Sequence, residues 1–199
     1  MMLAQLAFYS MQMSCTYELN PGNIKLMLKF LKMNNSLLIS TRRDWIDQIG
    51  RNPAEFLVGR YLSILDWTSK CVQGNGDENT YAYAIIDNDR PNSARALLEL
   101  SHARPNSDSP WLKVLSIHLE PNLDVSENDA DISIMAEISV LALKECLKLA
   151  FSTHPSDTLK VYAGTPLSLK FLRGLCEPLK DLGVNISTHR NWLVLAGLK

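Results

Sequence analysis

Apolar positions recur at helical spacing through the first third of the chain and change to an extended pattern after residues 74–79, GNGDEN. Before that switch, Ile24, Met27, Leu28 and Leu31 lie three and four residues apart. That spacing predicts one buried helical stripe behind Asn23 as a cap, with Lys25, Lys29 and Lys32 on a solvated face. A short strand, Cys15 to Leu19, is expected ahead of it. Thr41 to Ile49 predicts a second helix, capped by Thr41 and with Asp44 in its first turn. A third opens at Asn52-Pro53, because proline suits a first helical turn, and Phe56, Leu57, Tyr61 and Ile64 keep the helical period. Past the switch, Thr80 to Asp87 is rich in the aromatic and β-branched residues that favour strands. Turn-forming residues fill 88–93 and 104–110. Between them, Ala94 to His102 has a helical composition but is bounded as a strand, and we read it as one. Trp111 to Glu120 alternates as a strand buried on at least one face. Short turn-rich loops between these three strands predict an antiparallel meander.

The stretch from Trp111 to Phe151 organises the rest. A strand, WLKVLSIHLEP, leads through a polar connector without glycine into a long helix, 131–151. Met135, Ile138, Ala142, Cys146 and Leu149 share one helical stripe, and Leu141 and Leu143 widen it. Thr158 to Ala163 then returns parallel to the meander's last strand through a right-handed crossover. Pro166 opens a further helix, Pro178 is expected to kink or break it, and Gly183 ends it. Asn185 to Leu195 finishes as one strand or as a hairpin turning at His189 to Asn191. The expected class is α/β, a mixed sheet with helices on its faces.

This order of elements resembles that of the GNAT acyltransferase superfamily, over roughly residues 15–199. Three local features add to the likeness: the strand ending in proline at Pro121, the LKDLGV of residues 179–184, and the terminal NWLVL. The resemblance implies a GNAT-like fold with extra N-terminal helices, and an acyl-CoA such as acetyl-CoA as cofactor, set against Leu119, Ser126 and Asn128. In active members of that family the connector carries R/Q-x-x-G-x-G/A, whose glycines let main-chain N–H groups approach a diphosphate at a helix N-terminus. Here the connector reads NLDVSENDADIS, with Asp124, Glu127, Asp129 and Asp131 and no basic residue. Acids suit a helix start but repel a diphosphate. The family often places a tyrosine in the last helix as general acid; the matching position is Leu179. Tyr162, on the preceding strand, reads better as a half-buried phenol than as a replacement.

Two residues apart on the central strand, His118 and Glu120 share a face and form the best catalytic constellation, a base pair that could tune its own protonation. The other histidines, His102, His154 and His189, have no metal-ligand spacing. Gly74-Asn75-Gly76 precedes a strand, so it reads as a turn and not as a phosphate loop. No hydrolase elbow or Walker-type loop occurs. The four tryptophans are spread out, as core or interface anchors are.

Composition bounds the alternatives. With 199 residues, one domain (14–199) is expected after a poorly constrained segment, 1–13. A formal net charge of -1 gives no support for a nucleic-acid or anionic-membrane partner. Four scattered cysteines and an N-terminus without a basic leader point to a reducing cytoplasm. Two functions stay open: a divergent acyl-CoA N-acyltransferase of unknown acceptor, or a silent module of the same fold that binds a protein or small molecule. A homodimer is left open with either.

Overall fold

The computed structural model describes residues 27–51 and 57–198. Its strands are β1 (Leu28–Lys32), β2 (Thr80–Asp87), β3 (Arg90–Ala103), β4 (Trp111–Leu119), β5 (Thr158–Tyr162), β6 (Asn185–His189) and β7 (Trp192–Ala196). Its helices are α1 (Asn35–Arg51), α2 (Val58–Val72), the single turn α3 (Pro121–Asp124), α4 (Asp129–Phe151) and α5 (Pro166–Cys176), with a 3-10 segment at Glu177–Leu182. All seven strands form one mixed sheet in the order β1-β2-β3-β4-β5-β7-β6. The meander β2–β3–β4 is antiparallel, β4 and β5 are parallel, and β7 pairs antiparallel with both β5 and β6.

Two expectations at the N-terminal end are corrected. The helix read from Ile24 to Leu31 is a strand from Leu28 to Lys32, paired antiparallel with β2 from Leu28↔Asp87 to Lys32↔Tyr83. Pairing with β2 and stacking of Phe30 on Tyr83, centroids 4.9 Å apart, override a period that four apolar residues suggested. The next helix begins at Asn35, not Thr41. Asn34 is its cap, its Oδ1 accepting from the Leu37 N–H at 3.0 Å. Thr41 is wholly buried, and its hydroxyl accepts from the Ala94 N–H of β3 at 3.0 Å. The strand expected at 15–19, Asn23, and the Asn52-Pro53 helix start lie outside the described residues.

Alternation in the strands sends two apolar sets to opposite faces. On one face α1 and α2 pack Leu38, Trp45, Tyr61 and Leu65 against Ala82, Ala84, Ile86 and Leu97. Trp45 is completely buried and its indole N–H donates to the Ala94 carbonyl at 2.9 Å. On the other face α4 and α5 bring Ile138, Ala142, Cys146 and Leu172 onto Leu98, Leu112, Val114, Leu159 and Leu193. The expected stripe of α4 is therefore core-facing, and burial pushes the Cys146 thiol far up from its ordinary range, so it packs as a small apolar group. At the C-terminal end Pro178 does interrupt helical geometry, and Gly183 closes the segment at φ +83°, a left-handed conformation that favours glycine. The terminal stretch is a hairpin, with Arg190 at φ +52° in its turn.

Candidate functional site

Strand β4 is paired on its β5 side only through the register Trp111↔Thr158 to Val114↔Val161. The β3–β4 register shifts at this same point, from Glu99↔Ser116 to Leu100↔Val114, so Leu115 is an extra residue on β4. A bulge bends its strand and terminates pairing. From Leu115 to Leu119, β4 therefore runs on without β5 beside it. The parting of two parallel neighbours opens at the carboxyl ends of both strands, just before α3 and the start of α4. Open α/β sheets place ligands at such a switch point. The architecture is GNAT-like.

With that parting the element order is the one the resemblance implied: a strand, two helices, a three-strand meander, a long crossover helix, a parallel strand, a helix and the terminal strands. No protein-family profile matches the chain, and no curated protein matches it. Among solved structures, the chain is similar to an acetyltransferase from Agrobacterium tumefaciens at 14% identity, over 89% of this chain and 96% of that one, with a TM-score of 0.42. A GNAT-family acetyltransferase from Staphylococcus aureus matches at 9% identity, over 86% and 99%, with a TM-score of 0.40. AtaTR bound with AcCoA matches at 14% identity, over 60% and 69%, with a TM-score of 0.36.

The two candidate catalytic residues lie on the α1–α2 face but take different partners. His118 is opposite Leu97, and its Nε2 is 3.5 Å from Oε1 of Glu99, the cross-strand neighbour of Ser116. Both ring nitrogens of His118 are buried without a hydrogen-bond partner. Side-chain exposures of 13% and 21% leave the His118–Glu99 pair mostly out of water. Glu99 was not singled out in the sequence. Only the register of β3 against β4, including its bulge, brings it beside the imidazole.

Glu120 is 2% exposed and belongs to a different cluster. Its carboxylate pairs with Arg95, accepts from Arg90 and takes the Gln48 amide N–H at 3.2 Å. Arg90 also donates to Asp44 at 2.8 Å, and Ser93 donates to the same Asp44 oxygen. The Gln48 carbonyl oxygen in turn accepts from the Asn122 N–H at 3.1 Å. This network ties α1 to β3 and to the turn after β4. Glu120 thus anchors the strand's end, where two guanidiniums compensate its buried charge.

The expected cofactor-binding residues occupy the rim. Leu119 packs on the α4 side of the sheet at the open end of β4. Asn128 caps α4, its Oδ1 accepting from the Asp131 N–H at 2.8 Å. The Asp131 carboxylate accepts from Ser126 and from the Asn128 amide, each at 2.6 Å, and that amide also donates to Ser126 at 2.7 Å. A diphosphate needs free N–H groups and an approach without negative charge. Here a first-turn N–H is already satisfied and a carboxylate sits over the helix start, so these residues do not fit the phosphates of an acyl-CoA. Asp124, one turn earlier, is held by Arg60 and by Tyr61, whose phenol donates at 2.7 Å. Burial, with Asp124 beside it, pushes the Tyr61 pKa up, so that phenol stays a donor.

Two other tyrosine and leucine positions fall as follows. Leu179 is buried in the α4–α5 core, and Tyr162 is 41% exposed on the opposite face, more open than the half-buried phenol expected, its ring edge-on to Trp192 at 5.2 Å. Among the described residues, no group of three or more His, Cys, Asp or Glu side chains is placed to hold a metal ion. No described helix is long and apolar enough to cross a membrane.

Proposed function

We propose that this chain is a divergent GNAT-like binding module whose cleft takes a ligand bearing a protonated amine, in place of a CoA diphosphate. The observation that carries this reading is the self-capped, acid-rich start of α4 at the mouth of an otherwise preserved strand parting. Glu127, Asp129 and Asp131 give that mouth a negative field, Asp124 being paired with Arg60. On the stretch of β4 that β5 leaves unpaired, and on β3 beside it, His118 and Glu99 supply an imidazole and a carboxylate with hydrogen-bonding capacity to spare. An ammonium group satisfies both features, because it donates to a carboxylate and to a neutral imidazole nitrogen. A small amine and an amine-bearing side chain of a protein partner present the same chemistry.

Acyl transfer to that amine is the second reading. His118 favours it: a buried imidazole without a partner, backed by Glu99, is placed as a general base for an ammonium. Glu120 takes no part, since its oxygens are held by Arg90, Arg95 and Gln48.

Thermal-shift titrations separate the readings. Acetyl-CoA at 1 mM is expected to leave the melting temperature unchanged, whereas spermidine and Nα-acetyl-lysine amide, as amine probes, raise it by mass action. Stabilisation by acetyl-CoA, lost in Asn128→Ala, overturns the first reading in favour of the second. Amine stabilisation that persists unchanged in Glu99→Gln and His118→Ala removes the cleft from both.

A further inference from the structure

Beyond the cleft, the β4–β5–β7–β6 half of the sheet turns a second surface away from the α4–α5 core. Leu112, Val114, Leu159, Val161, Leu193 and Leu195 face that core. The residues alternating with them therefore point the other way, and in these four strands there is no aspartate or glutamate. Lys113 and Lys160 are direct neighbours in the parallel ladder. Like charges placed opposite each other in a sheet are unfavourable. A third cation joins them: around the Trp111 ring, Lys160 Nζ lies 3.3 Å from the centroid, the Arg104 guanidinium 4.7 Å and Lys113 Nζ 5.7 Å. None of the ion pairs among the described residues includes Arg104, Lys113 or Lys160. Cation–π contact with Trp111 is what holds them together. Burial, then Lys113 and Arg104, pull the Lys160 pKa down, as uncompensated neighbouring cations do. Farther along the same face stand Tyr162 and Trp192, in contact with each other.

We infer that this face binds single-stranded nucleic acid, with Arg104, Lys113 and Lys160 on backbone phosphates and Tyr162 and Trp192 stacking against a base. The net charge of -1 concealed it, because the chain's acids balance its bases overall while none of them lies in these four strands. Cations alone would equally suit an acidic polypeptide; the aromatic pair beside them, on strands that contain no acid, favours a chain that carries bases as well as charge. Trp111 is not a stacking platform, because Lys160 already covers its ring.

The test is fluorescence anisotropy of the full chain with fluorescein-labelled dT12 and rU12 across a salt series, with polyglutamate as competitor. Binding is expected, weakening with salt at a log–log slope of about -2 for three phosphate contacts. Lys113→Gln/Lys160→Gln should cut affinity at least tenfold and flatten the slope, while relieving repulsion and so preserving the melting temperature. If that double variant unfolds, Lys160→Gln carries the same comparison. Trp192→Ala is expected to lose roughly tenfold, the scale of one stacked base. Absence of binding at low salt, binding indifferent to these variants, or polyglutamate competing as well as dT12 overturns the inference, the last in favour of an acidic protein partner.

Discussion

Glu120 illustrates how far a side chain's role depends on what reaches it through space. Sequence places it two residues from His118 on one strand face, and that much is correct. The guanidiniums of Arg90 and Arg95 and the amide of Gln48, from two other elements, convert it from a possible base into an anchor. Glu120→Ala leaves these partners around an uncompensated hole and should cost about 3–5 kcal/mol, read from the urea midpoint, whereas Glu120→Gln keeps part of the network and costs less. His154 offers a second residue-scale prediction. Burial, with His102 and Lys32 nearby, lowers its pKa from 6.5 to about 4, and Tyr83 hydroxyl meets its Nε2 at 3.1 Å. The unfolded chain then binds a proton at this position more readily than the native one. Its contribution is complete above pH 6.5 and declines as pH falls towards 4, by a total on the order of 3 kcal/mol. In His154→Phe the stability profile between those pH values should be flatter by that amount. An unchanged profile, measured by urea unfolding, would remove His154 from the acid response.

At the scale of elements, what the sequence shows and what it hides divide along the range of the interactions. The helix 131–151 and the strands at 80–87, 111–120 and 158–163 were legible because each carries its own period and flanking turns. The stretch 94–102, helical in composition, is placed by its flanking turns alone, and the strand in fact starts at Arg90, inside the stretch read as a turn. Leu28 to Lys32 was not, because its five residues become a strand only by pairing with β2. Thr41 looks like a cap in isolation, yet Asn34, seven residues earlier, satisfies the helix and frees Thr41 to bond β3. The bulge at Leu115 left no mark in the sequence, and with it went any sign of Glu99 as a neighbour of His118, since the two meet through that register alone. The cap on α4 is testable by itself. Asn128→Ala removes the acceptor for the Asp131 N–H and loosens Ser126, and should lower stability by about 1 kcal/mol. Loss of nothing in a chemical-denaturation comparison would mean that Asp131 and Ser126 hold the helix start without it.

Across the whole molecule, the sheet is completed from the inside. Strand β7 comes after the other six in chain order, yet it lies between β5 and β6 and buries Leu193 and Leu195 completely. Until residues 192–196 dock, then, β5 has one open edge and β6 has no strand to pair with. The α4–α5 core waits with them, short of two of its leucines. A chain truncated after residue 190 should remain protease-sensitive and prone to self-association through the open edge of β5. A hairpin that acts as a keystone makes this half of the sheet all-or-none, so the edge of β5 stays open to other chains until residues 185–196 dock.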